Sequence, residues 1–134
     1  MSGTLEHVNF TVTDPEATAK VLCDLFDWRI RWQGPSKMGG RTVHVGAEDN
    51  YLALYTPTKM HGSEHPQGIL KGGMSHIGIV VDDLDAAEKR ILAAGFETTS
   101  HDDYDPGRRF YFLDGDGIEF EVVSYNKSPI VSIP

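Results

Sequence analysis

The sequence has few positive charges, one cysteine and no long apolar run. Twelve lysines and arginines stand against 20 aspartates and glutamates, which gives a formal net charge of −8. An acidic chain without a basic stripe argues against nucleic acid and anionic membrane surfaces as partners. Cys23 has no second cysteine with which to form a disulfide, so we expect a reducing compartment, the cytoplasm. No apolar run approaches the roughly 18 residues that a membrane helix needs.

The size and composition are those of one ordinary globular domain. The chain has 134 residues, within the usual range of about 100–200 for a domain. Hydrophobic residues make up 40% and charged residues 24%, which excludes a disordered or fibrous protein. The partners still to be expected are a small molecule or another protein.

The chain contains a weak internal repeat. His7 and His76 are 76 − 7 = 69 residues apart, and at the same offset Asp14 matches Asp83. Each copy opens as an alternating strand and then reaches an aspartate suited to cap a helix. Each predicted helix has one apolar stripe at helical spacing, and Gly95 fits the position just after the end of the second helix.

Three strand-like segments follow each helix, so each copy has the pattern βαβββ. The sequence therefore predicts an α+β fold of two tandem βαβββ modules within a single domain, residues 1–134. Module 1 covers about 4–56 and module 2 about 74–125, with a linker at 57–73 and a C-terminal tail at 126–134. The predicted strands after the helices are 28–32, 42–46, 51–55, 96–100, 109–113 and 118–124.

Strand alternation separates a polar face from the apolar face that must meet each helix. The polar faces collect His7, His44, His76, Tyr111, Glu119 and Glu121. Two histidines and a carboxylate that converge could form a facial-triad metal site; the alternative is a set of solvated residues on an exposed sheet face. Trp28 and Trp32 share a parity and are expected to pack against helices. Arg29 and Arg31, opposite them, could meet an anionic substrate or a partner subunit.

Three segments carry a resemblance to a known family: residues 5–8 (LEHV), 75–78 (SHIG) and 110–121 (FYFLDGDGIEFE). They resemble the vicinal oxygen chelate superfamily, which includes glyoxalase I, extradiol dioxygenases, fosfomycin-resistance transferases and bleomycin-resistance proteins. The resemblance implies paired βαβββ modules whose curved mixed sheets surround a cleft with a divalent metal.

The resemblance also implies roles for individual residues. His7, His76 and Glu121 match the family's metal ligands, and Ala53 stands where glyoxalase I has a fourth, glutamate ligand. Tyr111 matches a tyrosine that could donate a hydrogen bond to a metal-bound substrate oxygen, so it is the expected catalytic residue. The expected substrate-binding residues are Asn9, His44, Tyr51, Ala53 and Arg109. The metal could be Fe(II), Mn(II), Zn(II), Ni(II) or Co(II).

The function expected from these features is metal-dependent chemistry on a small oxygenated substrate, most concretely dioxygenation. The alternatives are a Mn- or Zn-dependent lyase, isomerase or thiol- or water-adding transferase, and a non-catalytic protein that sequesters a drug. In much of the family the site forms between modules of different subunits. We therefore expect a homodimer in which His7 meets His76 and Glu121 of the partner chain.

Overall fold

The computed structural model describes residues 2–37, 39–62, 65–104 and 106–125, so the predicted tail at 126–134 lies outside the described residues. Two four-stranded mixed sheets and two α-helices confirm the predicted α+β class. The elements are β1 (His7–Thr11), α1 (Pro15–Phe26), β2 (Arg29–Pro35), β3 (Arg41–Gly46), β4 (Tyr51–Thr56), a short 3₁₀ helix (Gln67–Ile69), β5 (Ile77–Val80), α2 (Leu84–Ala93), β6 (Thr98–Tyr104), β7 (Gly107–Leu113) and β8 (Glu119–Tyr125). The chain divides into two compact units, residues 1–62 and 63–134.

The first sheet has the strand order β1-β4-β3-β2. β1 runs parallel to β4, and the other two pairings are antiparallel. α1 begins where the sequence predicts, because the Asp14 side chain accepts a hydrogen bond from the Ala17 amide at 3.1 Å. The helix packs on β3 and β4, and the core beneath it is aliphatic, with Val43, Val45 and Leu54 fully buried.

The second sheet repeats the arrangement as β5-β8-β7-β6. Asp83 caps α2 by accepting a hydrogen bond from the Ala86 amide at 3.0 Å. Gly95 has φ +99° just past the end of that helix, as its predicted role requires. The core of this unit is aromatic: Phe110, Phe112 and Phe120 are buried, and the last two stack at 5.1 Å between centroids.

Two edge strands, β2 and β6, extend past their predicted ends. β2 continues through Gly34 to Pro35, which were expected to form a turn, and β6 continues through the acidic segment to Tyr104. Both strands lie at sheet edges. An edge strand tolerates proline and charged residues, because one row of its backbone groups has no strand to pair with. Because these segments have the composition of turns, the sequence predicts strand ends that come before the observed ends.

The expectation that Trp32 packs against a helix is wrong. The pairing of β2 with β3 shifts between Ile30, opposite Val45, and Trp32, opposite His44. This bulge inserts one residue and resets the alternation, so Trp32 faces the polar side of the sheet and is 48% exposed. Trp28 does contact a helix residue, with its ring 5.5 Å from that of Phe26.

No helix in the described part of the chain is both long and apolar enough to span a membrane.

Candidate metal and substrate site

A histidine and a glutamate meet on the polar face of the second sheet. His76 immediately precedes β5, and Glu121 lies in the neighbouring strand β8, opposite Gly78. His76 Nε2 lies 3.0 Å from Glu121 Oε1, and the Glu121 side chain is only 13% exposed. The pairing of β5 with β8 thus brings together two of the three predicted metal ligands.

The other imidazole nitrogen of His76 contacts the residue before it. Ser75 Oγ lies 3.0 Å from His76 Nδ1. His7 on β1 has a parallel arrangement, since its Nδ1 donates to Glu6 Oε1 at 2.8 Å. A carboxylate or hydroxyl on one ring nitrogen fixes the orientation of an imidazole and leaves the other nitrogen to bind a metal. In both predicted histidine ligands Nδ1 therefore contacts a neighbouring side chain, and Nε2 is the nitrogen that could bind a metal.

Arg109 on β7 contacts the second oxygen of the same carboxylate. Its Nη1 donates to Glu121 Oε2 at 2.9 Å, and both side chains are largely buried. The guanidinium also lies over the Tyr104 ring, 4.5 Å from the centroid, while Nε is buried without a hydrogen-bond partner in the described part of the chain. Arg109 thus orients Glu121; its predicted contact with substrate stays a prediction.

Tyr111 stands beside this group. It pairs with Glu121 across β7 and β8, and its ring meets the His76 ring edge-on with centroids 5.6 Å apart. Burial raises the pKa of the Tyr111 phenol, and the nearby Glu121 carboxylate raises this pKa further. The phenol is therefore protonated at neutral pH and can act as a hydrogen-bond donor.

The polar face of the first sheet is built from stacked rings. The His7 and Tyr51 centroids are 5.0 Å apart, those of Tyr51 and His44 are 4.6 Å apart, and Trp32 lies 5.0 Å from His44. The Tyr51 hydroxyl donates to Glu6 Oε1 at 3.3 Å, so Glu6 holds both His7 and Tyr51. Three predicted site residues of this module therefore form one continuous surface.

Electrostatics on this face favour a neutral His44. Burial lowers the pKa of His44, and the neighbouring His7 and Arg31 side chains lower this pKa further. The Tyr51 phenol has a raised pKa, mainly through burial and then through Glu6. His44 therefore contributes a neutral ring, and Tyr51 a protonated hydroxyl, at neutral pH.

The remaining predicted residues of the first sheet lie on the same face. Asn9 on β1 is exposed and pairs with Ala53 on β4, which is buried and also pairs with His44. With an alanine at this position, the face has no carboxylate where glyoxalase I would supply a ligand.

The three predicted ligands, His7, His76 and Glu121, have the donor atoms that a divalent metal needs but are not grouped in one cluster. Within the described residues, no three His, Cys, Asp or Glu side chains are grouped as a metal site. His76 and Glu121 form a two-donor pair, and His7 belongs to the other unit. Neutral imidazole and carboxylate are donors that first-row divalent metals accept, and each histidine has its remaining nitrogen held. The residues fit a metal that takes its third ligand from elsewhere.

Sequence reasoning missed four residues that support this site: Glu6, Ser75, Tyr104 and Trp32. Glu6 and Ser75 each stand directly before a predicted histidine ligand, and that adjacency was a usable signal. Tyr104 lies beyond the predicted end of its strand, and the bulge in β2 left no mark in the residue alternation that would have revealed Trp32.

The fold agrees with comparisons to known proteins. Among solved structures, a glyoxylase/bleomycin resistance protein/dioxygenase domain from Frankia sp. EAN1pec is 20% identical, with 96% of this chain and 95% of that chain covered and a TM-score of 0.78. The fosfomycin resistance protein FosX from Mesorhizobium loti is 23% identical, with 98% and 97% covered and a TM-score of 0.67. FosX from Listeria monocytogenes, in a complex with Mn(II) and sulfate, is 18% identical, with 98% and 100% covered and a TM-score of 0.70.

These structures share the fold at low identity. No curated protein matches the chain. A profile of the family described as Glyoxalase/Bleomycin resistance protein/Dioxygenase superfamily matches residues 4–122, nearly the whole chain. The chain therefore belongs to the glyoxalase/bleomycin resistance protein/dioxygenase superfamily.

Proposed function

We propose that this chain is a divalent-metal-dependent enzyme that acts on a small oxygenated substrate, most concretely a dioxygenase. The observation that carries the proposal is the His76–Glu121 contact, in which Nε2 and a carboxylate oxygen lie 3.0 Å apart while Ser75 contacts the other ring nitrogen. Superfamily membership and the Mn(II) complex of a structural relative support it.

His76 and Glu121 would hold the metal, with His7 as the third ligand. A bound divalent metal would supply Lewis acidity and a template for two vicinal oxygens of the substrate. Arg109 keeps Glu121 Oε2 occupied and leaves Oε1 toward His76. Tyr111, protonated at neutral pH, would donate a hydrogen bond to a substrate oxygen and stabilise negative charge that develops there.

The third ligand would come from a second copy of the chain, so we propose a homodimer, in the cytoplasm. Glu6 holds the Nδ1 proton of His7, so the Nε2 lone pair is ready to bind. The His7 side chain is 44% exposed and therefore accessible to another subunit.

The first experiment measures metal content by mass spectrometry on protein purified without chelator. We expect about one equivalent of a first-row metal per chain, lost in His76→Ala, Glu121→Ala and His7→Ala. His61→Ala is the matched control, because it removes an exposed loop histidine outside the site. If no metal binds, even after reconstitution with each candidate ion, the proposal is wrong.

Mixing two inactive variants tests the shared site. In a dimer of one His7→Ala chain and one Glu121→Ala chain, one of the two shared sites keeps all its ligands. We expect the mixed dimer to recover about half of the wild-type metal. If each site used ligands of a single chain, the mixture would stay as empty as its components.

The metal that is found decides among the reactions. Fe(II) predicts oxygen consumption with an aromatic vicinal diol, which Tyr111→Phe should slow by roughly tenfold to a hundredfold if its hydrogen bond stabilises the transition state. Mn(II) or Zn(II) without oxygen consumption would favour lyase, isomerase or thiol- or water-adding chemistry instead.

A second candidate is a non-catalytic protein that sequesters a small molecule. The exposed ring stack of Trp32, His44 and Tyr51 favours it, because such a surface can bind a ligand without any metal. Ligand binding by metal-free protein, together with the absence of metal in the first experiment, would select this candidate.

A further inference from the structure

The ring stack on the first sheet has features that metal chemistry alone does not require. We define the aromatic platform as Trp32, His44 and Tyr51, with Arg31 above Tyr51. We propose that the aromatic platform binds a planar aromatic anion, with Trp32 supplying the stacking surface and Arg31 the charge. The inference rests on the proposed function for the reaction that follows binding, whereas the binding step itself needs no metal.

The indole of Trp32 packs against Gly34 of the same strand. A Cβ atom added to Gly34 would lie 2.8 Å from Trp32 Cζ2, so the ring lies across a residue that has no side chain. Its other neighbour is the His44 ring, tilted by 50° with centroids 5.0 Å apart. The indole is thus supported from two directions and still 48% exposed. A rigid, supported and accessible ring is suited to stack on a flat ligand.

The aromatic platform carries a positive charge at Arg31. The Arg31 guanidinium lies 4.5 Å from the Tyr51 centroid. Arg29, two residues away, forms an ion pair with Glu48 at 2.7 Å, and Arg41 forms one with Glu16 at 2.8 Å. Among the described residues, no carboxylate lies within ion-pair distance of Arg31. A guanidinium stacked on a ring and without an ion-pair partner can receive a planar carboxylate.

Glu6 and Glu48 interact electrostatically with Arg31, but neither forms an ion pair with it. The Glu6 carboxylate already accepts hydrogen bonds from His7 and from the Tyr51 hydroxyl. The His44 ring stacks on Tyr51, with centroids 4.6 Å apart. A planar ligand with a carboxylate or phenolate at its edge could therefore stack on Trp32 and His44 while its anion meets Arg31.

Calorimetric titration of chelator-treated protein tests this proposal with three probes. 2-Naphthoate is planar and anionic, 2-naphthalenemethanol is planar and neutral, and cyclohexanecarboxylate is anionic without a flat π face. We expect 2-naphthoate to bind at least fivefold more tightly than either comparison probe. Equal affinity for cyclohexanecarboxylate, or no binding of 2-naphthoate at millimolar concentration, would overturn the proposal.

Four variants test the contributions of stacking and of charge to binding separately. Trp32→Leu should weaken 2-naphthoate binding roughly fivefold to tenfold through lost stacking. Gly34→Ala should also weaken it, because the new methyl group displaces the indole. Arg31→Gln should remove most of the preference for the anion, whereas Arg29→Gln, the matched control, should change nothing. Unchanged binding in Trp32→Leu and Arg31→Gln variants that retain the wild-type circular dichroism spectrum would contradict the assignment.

Two further readouts separate this proposal from others. If Trp32→Leu converts a dimer into a monomer on gel filtration, the platform is a subunit interface and the proposal is wrong. Metal content is measured independently, so 2-naphthoate binding without metal would support the platform while the metal-dependent enzyme fails. Metal binding without 2-naphthoate binding would support the metal-dependent enzyme and overturn the platform.

Discussion

The two modules have the same strand order but carry different kinds of side chain on their polar faces. The polar face of the first sheet is a stack of rings around Tyr51, whereas that of the second holds the charged group His76, Glu121 and Arg109. Positions on this face can change without disturbing the helix-packed face, because alternate residues point to opposite sides. Duplication of one βαβββ unit thus supplies two surfaces that diverge independently.

The edge strands show the same divergence. Both β2 and β6 carry a register shift, but the one in β2 turns Trp32 toward the polar face, whereas the one in β6 lies between Thr99 and Asp102. There Ser100 has φ +53°, and His101 Nε2 donates to Glu88 of α2 at 2.6 Å. A bulge at an equivalent strand therefore brings an exposed indole to the polar face in one module and accompanies a helix-to-strand contact in the other.

The largest effect should come from the difference in cores. Phe110→Ala in the aromatic core of module 2 should lower the free energy of unfolding by about 3–5 kcal/mol, because the fully buried ring leaves a cavity. Phe110→Leu keeps most of the volume and should cost under about 1.5 kcal/mol. Urea unfolding followed by circular dichroism measures both, and Leu113→Ala, at a 57% exposed site, is the control. A loss below about 1 kcal/mol in Phe110→Ala would show that the site collapses around the deletion.

The next effect contrasts a buried ion pair with an exposed one. Arg109→Ala should cost about 2–3 kcal/mol of unfolding free energy, since Glu121 is left with a largely buried carboxylate oxygen unpaired. Arg29→Ala removes the exposed partner of Glu48 and should cost much less, because solvent screens that pair. Chemical denaturation of both variants at one salt concentration measures the two losses. Equal losses would contradict the expected difference between the buried and the exposed ion pair.

The smallest effect concerns pH and the helix-to-strand contact of module 2. Hydrogen bonds from Thr98 and then His101 lower the pKa of Glu88. A lowered carboxyl pKa stabilises the fold above the unfolded value and loses this contribution as pH falls through the folded value. Glu88→Gln should therefore cost about 1 kcal/mol at pH 7 and progressively less at acid pH. Thermal unfolding of wild type and Glu88→Gln between pH 3 and 7 measures this difference; a constant gap would contradict the assignment.

Local signals predicted the helices and the apolar faces well. Asp14 and Asp83 cap the two helices because capping depends on a side chain and an amide three residues later. Strand alternation likewise assigned Tyr111, His76 and Glu121 to one face of the second sheet, where the strand pairing brings them together. Such features depend on few residues, all close in sequence or related by strand alternation.

The features that failed depend on how strands pair and on their place in the sheet. A bulge arises where two strands must match in length and twist, so the sequence around Trp32 alone does not reveal it. Edge position likewise follows from the strand order, which decides whether Pro35 or Asp102 can belong to a strand. The contacts of Arg109 with Tyr104 and Glu121 join three strands, so composition could indicate the charge but not its partners.

The adjacency of Glu6 to His7 and of Ser75 to His76 has a consequence for assembly. A contact between neighbouring residues closes almost no loop, so it forms with little loss of chain entropy and does not wait for the sheet to be complete. Each imidazole can be oriented within its own segment before a distant strand arrives. The entropy of ordering the two side chains is then lost during local folding, so that binding of the proposed metal would restrict them less.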